Sequence, residues 1–236
     1  MIKVENIHKH FERPILRGID LEVREKEFLC LVGESGSGKT TLLKIIAGLE
    51  KPNQGSVLIA GKKLSDINFD AGMVFQSAAL LPWMTVWENV IFPFTITKSA
   101  YNQTEIEEII SEVGLTQFAS KYPRDLSGGQ HQRVGIARAL ALKRKILLLD
   151  EPFSALDIKT ATELRRDLLR LWQANGLTVV MVSHLVEEAV ELADRIIVLK
   201  NGLVLSRLNI DSPRPRELEN IETLRLIDRI KNIIEN

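Results

Sequence analysis

The sequence predicts an α/β fold with a mostly parallel sheet, an N-terminal antiparallel β layer and an inserted α-helical subdomain. Two observations lead to this prediction. Short apolar runs, which are typical of strands buried on both faces, alternate with segments of helical periodicity along much of the chain. Residues 77–140 interrupt that alternation, because they have helical character throughout.

The first predicted elements are strands. Residues 2–7 and 19–24 alternate between apolar and polar side chains and predict two strands of the antiparallel layer. Residues 27–32, EFLCLV, form a continuous apolar run that is typical of a strand buried on both faces. That strand ends at Gly33, and the chain then enters the helical pattern TTLLKIIAGL of residues 40–49.

The middle of the chain contains two more predicted strands, followed by the helical segment. Residues 54–64, QGSVLIAGKKL, predict a strand with a turn at Gly61, and residues 71–76, AGMVFQ, predict another strand. Proline removes a backbone donor and ends or kinks a helix. We therefore expect breaks in the helical segment at Pro82 and Pro93.

The last third of the chain returns to strands. Residues 145–152, KILLLDEP, and residues 177–184, LTVVMVSH, predict buried strands with a helix at 159–174 between them. Residues 194–206 predict a β-hairpin with Asn201-Gly202 at its turn. This dipeptide favours the positive φ angles that a two-residue hairpin turn requires.

These elements predict three parts of the chain. Residues 1–76 and 141–205 are expected to form the α/β core with the antiparallel layer, and residues 77–140 the helical subdomain. Residues 206–236 form a C-terminal tail that we expect to be helical. Its apolar residues recur at helical spacing and indicate an amphipathic helix that packs on its own domain; they are Ile221, Leu224, Ile227, Ile230 and Ile234.

The composition narrows the range of functions. The chain has 236 residues, with 31 basic and 31 acidic side chains, so its net charge is zero. A general nucleic-acid binder normally carries a basic excess, so we expect no nucleic-acid partner. The N-terminus lacks the apolar core of a signal peptide, and no apolar run reaches the roughly 18 residues that cross a bilayer. The single cysteine, Cys30, lies in a predicted buried strand, which fits a reducing cytoplasm.

The stretch GESGSGKTT, from Gly33 to Thr41, matches the phosphate-binding loop (P-loop) pattern, and it lies between a buried strand and a helix as that pattern requires. Glycines let the backbone curl so that N–H groups face phosphate oxygens, and the helix adds its positive end. Lys39 is expected to contact the β- and γ-phosphates, and Thr40 to ligate Mg²⁺. The predicted nucleotide-binding residues of this loop are Gly33, Ser35, Gly36, Ser37, Gly38, Lys39, Thr40 and Thr41.

Two adjacent carboxylates, Asp150 and Glu151, end the predicted strand ILLLDEP. Ligands of open α/β sheets bind at the carboxyl ends of the strands. Adjacent carboxylates repel each other unless a cation lies nearby, so Asp150 is the expected Mg²⁺ partner, through a bridging water. Glu151 is expected to act on the attacking water, either as its general base or by polarising it. The alternative is that both belong to the acidic first turn of a helix.

Three further polar residues could serve the same chemistry. Gln76 ends a predicted strand and could reach the metal and the attacking water. His184 ends another and could hydrogen-bond the γ-phosphate, while Asp157 lies just before the helix at 159–174. Each residue has an ordinary alternative. Gln76 and His184 could be polar loop residues, and Asp157 could be a helix N-cap.

The stretch LSGGQHQRVGIARAL, residues 126–140, begins with a serine and two glycines and continues as a helical pattern. A helix start of this kind suits an anion. Taken in order along the chain, this stretch and the preceding motifs resemble those of the ATP-binding subunit of ABC transporters. The matching motifs are GESGSGKTT, Gln76, LSGGQ at 126–130, ILLLDE at 146–151, SALD at 154–157 and His184.

The resemblance implies a mechanism in which two subunits pack head to tail around two ATP molecules. Phe11 falls where the family stacks an aromatic ring on adenine, with a core phenylalanine as the alternative. Leu185 follows His184 where the family usually has aspartate. The signature stretch of one subunit binds the γ-phosphate of the ATP held by the other, which implies this role for Ser127, Gly128, Gly129 and Gln130.

Residues 74–90, VFQSAALLPWMTVWENV, resemble importers of nitrate, sulfonate, taurine and thiamine precursors, as do DSPRPRE at 211–217 and the tail. The resemblance implies integral membrane permease subunits and an extracytoplasmic solute-binding protein as partners, with this chain at the cytoplasmic face of the membrane. The apolar side chains of residues 74–90 are either core or part of a groove for a short permease helix; they are Leu80, Leu81, Trp83, Met84, Val86 and Trp87.

Two other functions compete with a transport ATPase. A soluble ABC ATPase acting on nucleic acid or ribosomes usually has a coiled-coil insertion or two fused cassettes, and this sequence shows neither. A P-loop kinase or GTPase has no counterpart of LSGGQ. The resemblance therefore implies an ATPase that uses ATP and Mg²⁺ to energise a membrane importer.

Overall fold

The computed structural model describes residues 1–235, and its elements fall into two compact units. Unit 1 contains residues 1–68 and the chain from residue 178 onward, and unit 2 contains residues 69–177. In chain order the elements are β1 Ile2–His10, β2 Pro14–Val23, β3 Phe28–Val32, α1 Lys39–Ile46, β4 Gln54–Ile59, β5 Lys62–Lys63, β6 Ala71–Val74, α2 Val86–Thr97, α3 Gln103–Glu112, two 3₁₀ turns at Thr116–Phe118 and Pro123–Asp125, α4 Gly128–Leu140, β7 Ile146–Asp150, α5 Ile158–Asn175, β8 Thr178–Val182, α6 Val186–Leu192, β9 Arg195–Lys200, β10 Leu203–Asn209 and α7 Ile221–Glu235.

The N-terminal sheet of unit 1 has the strand order β2-β1-β4-β5, and each of its strand pairs is antiparallel. The predicted antiparallel layer is therefore confirmed, although β1 and β2 are longer than the sequence pattern indicated. The predicted turn at Gly61 is also present. Ala60 and Gly61 have φ angles of 48° and 79°, the positive values that a two-residue hairpin turn needs.

Unit 1 also contains strands of the predicted buried, mostly parallel type. β3 pairs in parallel with both β8 and β9, and β10 adds to β9 in the antiparallel sense. All residues of β3 and β8 are buried, as expected for strands covered on both faces. The predicted hairpin turn between β9 and β10 is confirmed, with φ angles of 52° at Asn201 and 76° at Gly202.

Unit 2 contains the parallel pair β6–β7 and helices α2 to α5. The predicted helix at 159–174 is present as α5. The expected break at Pro93 is wrong, because Pro93 lies inside α2. That helix begins with a complete capping box, in which Thr85 Oγ1 accepts from the Glu88 N–H at 3.2 Å and Glu88 Oε2 accepts from the Thr85 N–H at 2.7 Å. The predicted domain boundaries at residues 76 and 141 stay a prediction.

The C-terminal tail contains the end of β10 and then helix α7. The tail is therefore helical only from Ile221, because residues 206–209 belong to a strand. Ile227 and Ile230 are buried while Ile221 and Leu224 are exposed, so one face of the amphipathic helix packs on unit 1.

Two further features are the apolarity of the helices and the environment of Cys30. None of the helices within residues 1–235 has the length and apolarity that a membrane-spanning helix needs. Cys30 is buried in β3, and burial raises the pKa of its thiol, so the thiolate is disfavoured there.

Glu27 anchors the start of β3, the strand that leads into the phosphate-binding loop. Its carboxylate accepts hydrogen bonds from Arg195 Nε at 2.8 Å and Arg195 Nη2 at 3.0 Å, and from the Arg24 N–H at 2.6 Å. Both side chains of the ion pair are largely buried. The bidentate geometry satisfies the carboxylate in a place where water has little access.

We expect Glu27→Ala to lower the free energy of unfolding by about 3–5 kcal/mol, because the Arg195 guanidinium would be left buried without its carboxylate. Urea denaturation measures this loss. Glu5→Ala is the control, since it breaks an exposed pair with Lys3 and should change stability little. Equal losses in the two variants would contradict the anchoring role.

Candidate active site

The phosphate-binding loop of unit 1 connects β3 to α1. The backbone turns through positive φ angles of 146° at Gly33, 80° at Gly36 and 102° at Gly38. Lys39, the first residue of α1, is only 5% exposed, and its ammonium donates to the carbonyls of Gly33 at 2.7 Å and Glu34 at 2.9 Å. The start of the loop thus contacts the ammonium at the end of the lysine side chain.

Two glycines of this loop pack too closely on other elements to accept a side chain. A Cβ at Gly33 would lie 2.0 Å from the carbonyl oxygen of Leu199 on β9, and one at Gly38 would lie 2.5 Å from Leu16 Cδ2 on β2. Gly36 differs, because a Cβ there would meet no atom within 4 Å. Glycine is therefore required at Gly33 and Gly38 for packing as well as for backbone angle.

Ser37 carries a polar atom that fits an anion. Its side chain is buried, and its hydroxyl oxygen has no hydrogen-bond partner within residues 1–235. A buried hydroxyl normally has a partner, so an acceptor such as a phosphate oxygen would satisfy it. Ser35 and Gly36 lie exposed at the tip of the loop, and Thr40 and Thr41 are half-buried in the first turn of α1.

A cleft of about 270 Å³ adjoins the loop and is lined by Ser35, Gly36 and Ser37 on one side. Arg13 and Arg17, from β2 and the turn before it, also line this cleft. Their charge favours a phosphate ligand. The sequence does not indicate a role for either arginine, because nothing in a surface strand pattern shows that they face the loop.

Phe11 lies in the turn between β1 and β2 and is 57% exposed. The alternative of a core phenylalanine is therefore wrong. The Lys9 ammonium lies 4.7 Å from the centre of the Phe11 ring, on one of its faces. An exposed aromatic ring at this position is available for stacking.

Unit 2 brings together three polar residues at the ends of β6 and β7. Gln76 Nε2 donates to Ser154 Oγ at 3.0 Å and approaches Glu151 Oε2 at 3.4 Å. Ser154 Oγ in turn donates to the Glu151 carbonyl at 3.1 Å. Asp150 is the buried last residue of β7. The structure thus brings Gln76 and Glu151 together, and Ser154 is a third member that the sequence pattern did not single out. The catalytic roles of Gln76 and Glu151 stay predictions.

The backbone of Glu151 has a φ angle of 47°, in the left-handed region. This conformation costs a non-glycine residue roughly 1–2 kcal/mol. Such strain persists only where the surroundings enforce it, and it is commonest at functional sites. The bond from Ser154 to the Glu151 carbonyl is one contact that holds this turn.

Helix α4 begins at the signature stretch. Ser127 is its N-cap, with Ser127 Oγ accepting from the Gln130 N–H at 3.3 Å and Gln130 Oε1 accepting from the Ser127 N–H at 2.8 Å. A Cβ at Gly129 would lie 2.3 Å from Thr160 Cγ2 of α5, whereas Gly128 has more room. Glycine at position 129 therefore lets α4 pack closely on α5.

Asp157 is the N-cap of α5, as the alternative interpretation proposed. Its carboxylate accepts from the Thr160 N–H at 3.0 Å. Hydrogen bonds from Thr160 hold the pKa of Asp157 below its ordinary value.

Two side chains of α4 hold the segment that follows β6. Gln132 Nε2 donates to the Gln76 carbonyl at 2.8 Å, and the Arg138 guanidinium donates to the carbonyls of Ala78 at 2.6 Å and Ala79 at 2.8 Å. Burial lowers the pKa of Arg138. The sequence does not indicate a role for either residue, because each donates to a backbone carbonyl more than fifty positions away.

His184 lies in unit 1, immediately after β8, and is exposed. Its neighbour Leu185 is the N-cap of α6 and supplies no capping side chain. The Ser183 hydroxyl holds the start of α6 in another way, since its oxygen accepts from the Leu185 N–H at 3.0 Å and its O–H donates to Glu188 Oε2 at 2.5 Å. Although position 185 is leucine and not aspartate, the turn between β8 and α6 is therefore still hydrogen-bonded, through Ser183.

A glycine loop that ends in a buried lysine, between a buried strand and a helix, together with carboxylates at the end of a parallel strand, defines a P-loop nucleoside triphosphatase. A family model described as ABC transporter matches residues 16–154, which is more than half of the chain. The chain belongs to the ABC transporter family, as its ATP-binding subunit.

Relatives and a solved structure agree with this membership. The chain is 43% identical to the bicarbonate transport ATP-binding protein CmpD of Synechococcus elongatus, over 92% of this chain and 83% of the relative. It is 42% identical to the nitrate import ATP-binding protein NrtC of the same organism, over 99% of this chain and 38% of the relative. A dimeric ATP-binding cassette in a post-hydrolysis state, bound to ADP and phosphate, matches with a TM-score of 0.79 and 36% identity, over 90% of this chain and 100% of that one. The chain is an ATPase that converts ATP to ADP and phosphate.

We expect Gly33→Ala to be much more damaging than Gly36→Ala. The first variant forces a Cβ to within 2.0 Å of a backbone oxygen, so the loop or β9 must move, at a cost of about 1–3 kcal/mol beyond the backbone strain. The second adds only the strain of a left-handed alanine, roughly 1–2 kcal/mol. Denaturant unfolding and the affinity for a fluorescent ATP analogue measure both effects. Similar losses in the two variants would show that packing on Leu199 does not matter.

Proposed function

We propose that this chain energises a membrane importer by binding and hydrolysing ATP as a head-to-tail dimer of two copies. The observation that carries the proposal is the phosphate-binding loop, with its buried Lys39 and the unsatisfied Ser37 hydroxyl. The matching solved cassette is a dimer that holds ADP and phosphate, which supports the same assembly for this chain. The names of the relatives, for nitrate import and bicarbonate transport, support import.

The phosphate-binding loop is proposed to hold the triphosphate. Lys39 contacts the β- and γ-phosphates, and the Ser37 hydroxyl donates the hydrogen bond for which no acceptor is available among residues 1–235. Phe11 stacks on adenine with its exposed face. Mg²⁺, when bound, would neutralise charge on the phosphates, and its proposed protein ligands are Thr40, Gln76 and Asp150.

Glu151 is proposed to act as the general base that takes a proton from the attacking water. Its strained backbone and the neighbouring Gln76 and Ser154 restrict where the carboxylate can lie. His184 is proposed to hydrogen-bond the γ-phosphate. Asp157 is proposed to act at the dimer contact, since its carboxylate caps the helix next to the signature stretch.

The start of α4 is proposed to bind the γ-phosphate of the ATP held by the partner copy. The first N–H groups of a helix have no partner within it, and a 13-residue helix adds a positive end. The N–H groups of Ser127 and Gln130 both belong to the capping box, so the Ser127 hydroxyl and the N–H groups of Gly128 and Gly129 are the better placed donors.

The proposed solute is a small anion or related compound of the nitrate, bicarbonate, sulfonate or taurine kind, or a thiamine-type precursor. The first two follow from the names of relatives and the others from the resemblance of residues 74–90. The permease and an extracytoplasmic solute-binding protein would select it. The chain itself would lie at the cytoplasmic face of the membrane, attached through the permease.

An apolar groove in unit 2 is the proposed permease contact. Its volume is about 410 Å³, and the exposed side chains of Phe69 and Ile96 line it together with the half-buried Phe92 and Leu81. The other apolar residues of the segment 74–90 differ in how far they are buried. Val86 is core, Trp83 is exposed, and Leu80, Met84 and Trp87 are half-buried. An apolar groove of this kind suits one face of a short amphipathic helix.

We expect Glu151→Gln to keep ATP binding, to lower the rate of hydrolysis by about 10²–10⁴-fold and to accumulate a nucleotide-bound dimer, because the general base is removed while the phosphate contacts stay. Phosphate release measures the rate, and size-exclusion chromatography with ATP measures the dimer. Hydrolysis at the parent rate would show that Glu151 is not the base. ATPase activity that depends on RNA or DNA would instead favour the soluble, non-transport function.

We expect Ile96→Arg to reduce recovery of the permease with this chain by about tenfold or more, since a charge replaces an apolar contact in the groove. Ile96 is 64% exposed, so the fold should tolerate the change, and thermal unfolding checks this. Affinity capture from the membrane fraction of the source cells measures recovery. Ile221→Arg is the matched control, because Ile221 is 67% exposed on α7 and lies outside the groove. Equal recovery with both variants would place the permease elsewhere.

A further inference from the structure

The segment Arg214-Pro215-Arg216 binds the C-terminal end of α6, the short helix that follows His184. Arg214 donates from Nε and Nη2 to the Leu192 carbonyl, at 3.1 and 2.7 Å. Arg216 Nη1 donates to the carbonyls of Val190 at 2.9 Å and Ala193 at 2.6 Å. The last carbonyls of a helix have no partner within it, and positive charge is favoured at that end. The two arginines therefore cap α6.

The Arg216 side chain is buried and hydrogen-bonded to backbone, and does not lie on the surface. It is only 7% exposed, and it also donates from Nε to the Ser212 carbonyl at 2.9 Å and from Nη2 to the Ile210 carbonyl at 3.2 Å. Burial, and then the neighbouring Arg214, lower the pKa of Arg216 to about 10. That pKa still leaves the guanidinium charged at neutral pH. Four backbone carbonyls thus surround one buried cation.

The N-terminal end of α6 contacts the turn from Ser183 to Leu185, which carries His184. Glu188, on the first turn of α6, bonds through Oε2 to the hydroxyl of Ser183 at 2.5 Å, and both side chains are buried. The Ser183 N–H donates to the Leu31 carbonyl of β3 at 3.1 Å, and the Leu185 N–H donates to Ser183 Oγ at 3.0 Å. The Ser183 hydroxyl, which binds the backbone next to His184, is therefore held by α6 through Glu188.

Helix α6 has only seven residues, so it is too short to be stable without its surroundings. Its C-terminus is fixed by Arg214 and Arg216, and its first turn is tied to α7 by the ion pair between Glu187 and Lys231 at 2.6 Å. A shift at the capped end would move Glu188, less than two turns away, and with it Ser183.

We propose that Arg214 and Arg216 are positioning residues for His184, so that the C-terminal tail sets the rate of ATP hydrolysis by fixing α6. This inference rests on the proposed contact of His184 with the γ-phosphate. It gives the tail a role in turnover in addition to packing on unit 1.

The test compares Arg216→Gln with Arg216→Lys in the full-length chain. We expect Arg216→Gln to lower kcat by about 10- to 100-fold while KM for ATP changes less than about twofold, because His184 is displaced and the phosphate-binding loop is intact. Arg216→Lys keeps the charge at the helix end and should recover part of kcat. Arg207→Gln is the matched control, since Arg207 also donates to a backbone carbonyl of unit 1, that of Asp20, and does not contact α6. It should keep the parent kcat.

A second readout separates positioning from general loss of stability. The chain has four histidines, so imidazole NMR gives few signals, and the His184→Ala variant identifies that of His184. Arg216→Gln should shift the His184 signal and leave those of His8, His10 and His131 unchanged. If Arg216→Gln does not fold, Arg214→Gln, which removes the contacts to the Leu192 carbonyl and the ion pair with Asp194, is measured in the same way.

Three outcomes decide the question. A His184→Ala variant that hydrolyses ATP at the parent rate would overturn the proposed role of His184 itself. An impaired His184→Ala variant, with an Arg216→Gln variant of parent kcat and an unshifted His184 signal, would overturn only the positioning role. A lowered kcat with a selective shift of the His184 signal, absent in Arg207→Gln, would support it.

Discussion

The burial of the Lys39 ammonium is the constraint on which the rest of the site depends. A charge that is removed from water must be met by polar atoms, and here the carbonyls of Gly33 and Glu34 lie 2.7 and 2.9 Å away. Those carbonyls can face the lysine only because the loop turns through positive φ angles. The same turn brings Gly33 against the Leu199 carbonyl with no room for a side chain. The buried lysine charge, the positive φ angles of the loop and the packing of Gly33 on β9 therefore depend on one another.

A second feature recurs around the proposed catalytic residues. Long polar side chains donate to backbone carbonyls and thereby fix the turns that carry Gln76 and His184. Gln132 and Arg138 hold the segment after β6 in this way, and Arg214 and Arg216 hold the end of α6. Backbone carbonyls at turns and helix ends lack regular partners, so such donors satisfy them and restrict the turn at once.

The sequence predicts the features that depend on local chemistry. The Asn201-Gly202 turn and the buried strand before Gly33 follow from φ preference and apolar pattern, and the structure confirms them. The expectation at Pro93 was wrong, because α2 has a strong cap and a buried face, which outweigh the loss of one backbone hydrogen bond. Arg13, Ser154 and Gln132 could not be predicted, since their partners are remote in sequence or carry no pattern of their own.

The apolar groove and the proposed catalytic cluster of unit 2 share a segment. Phe75 and Ala79, on either side of Gln76, line the groove, and Arg138 both lines it and donates to the Ala78 and Ala79 carbonyls. Gln76 itself reaches Glu151 and Ser154. A helix seated in the groove would therefore press on the backbone that places Gln76. Movement of such a partner would therefore change the geometry at Glu151 through only a few residues. This coupling needs no contact between the transported solute and this chain.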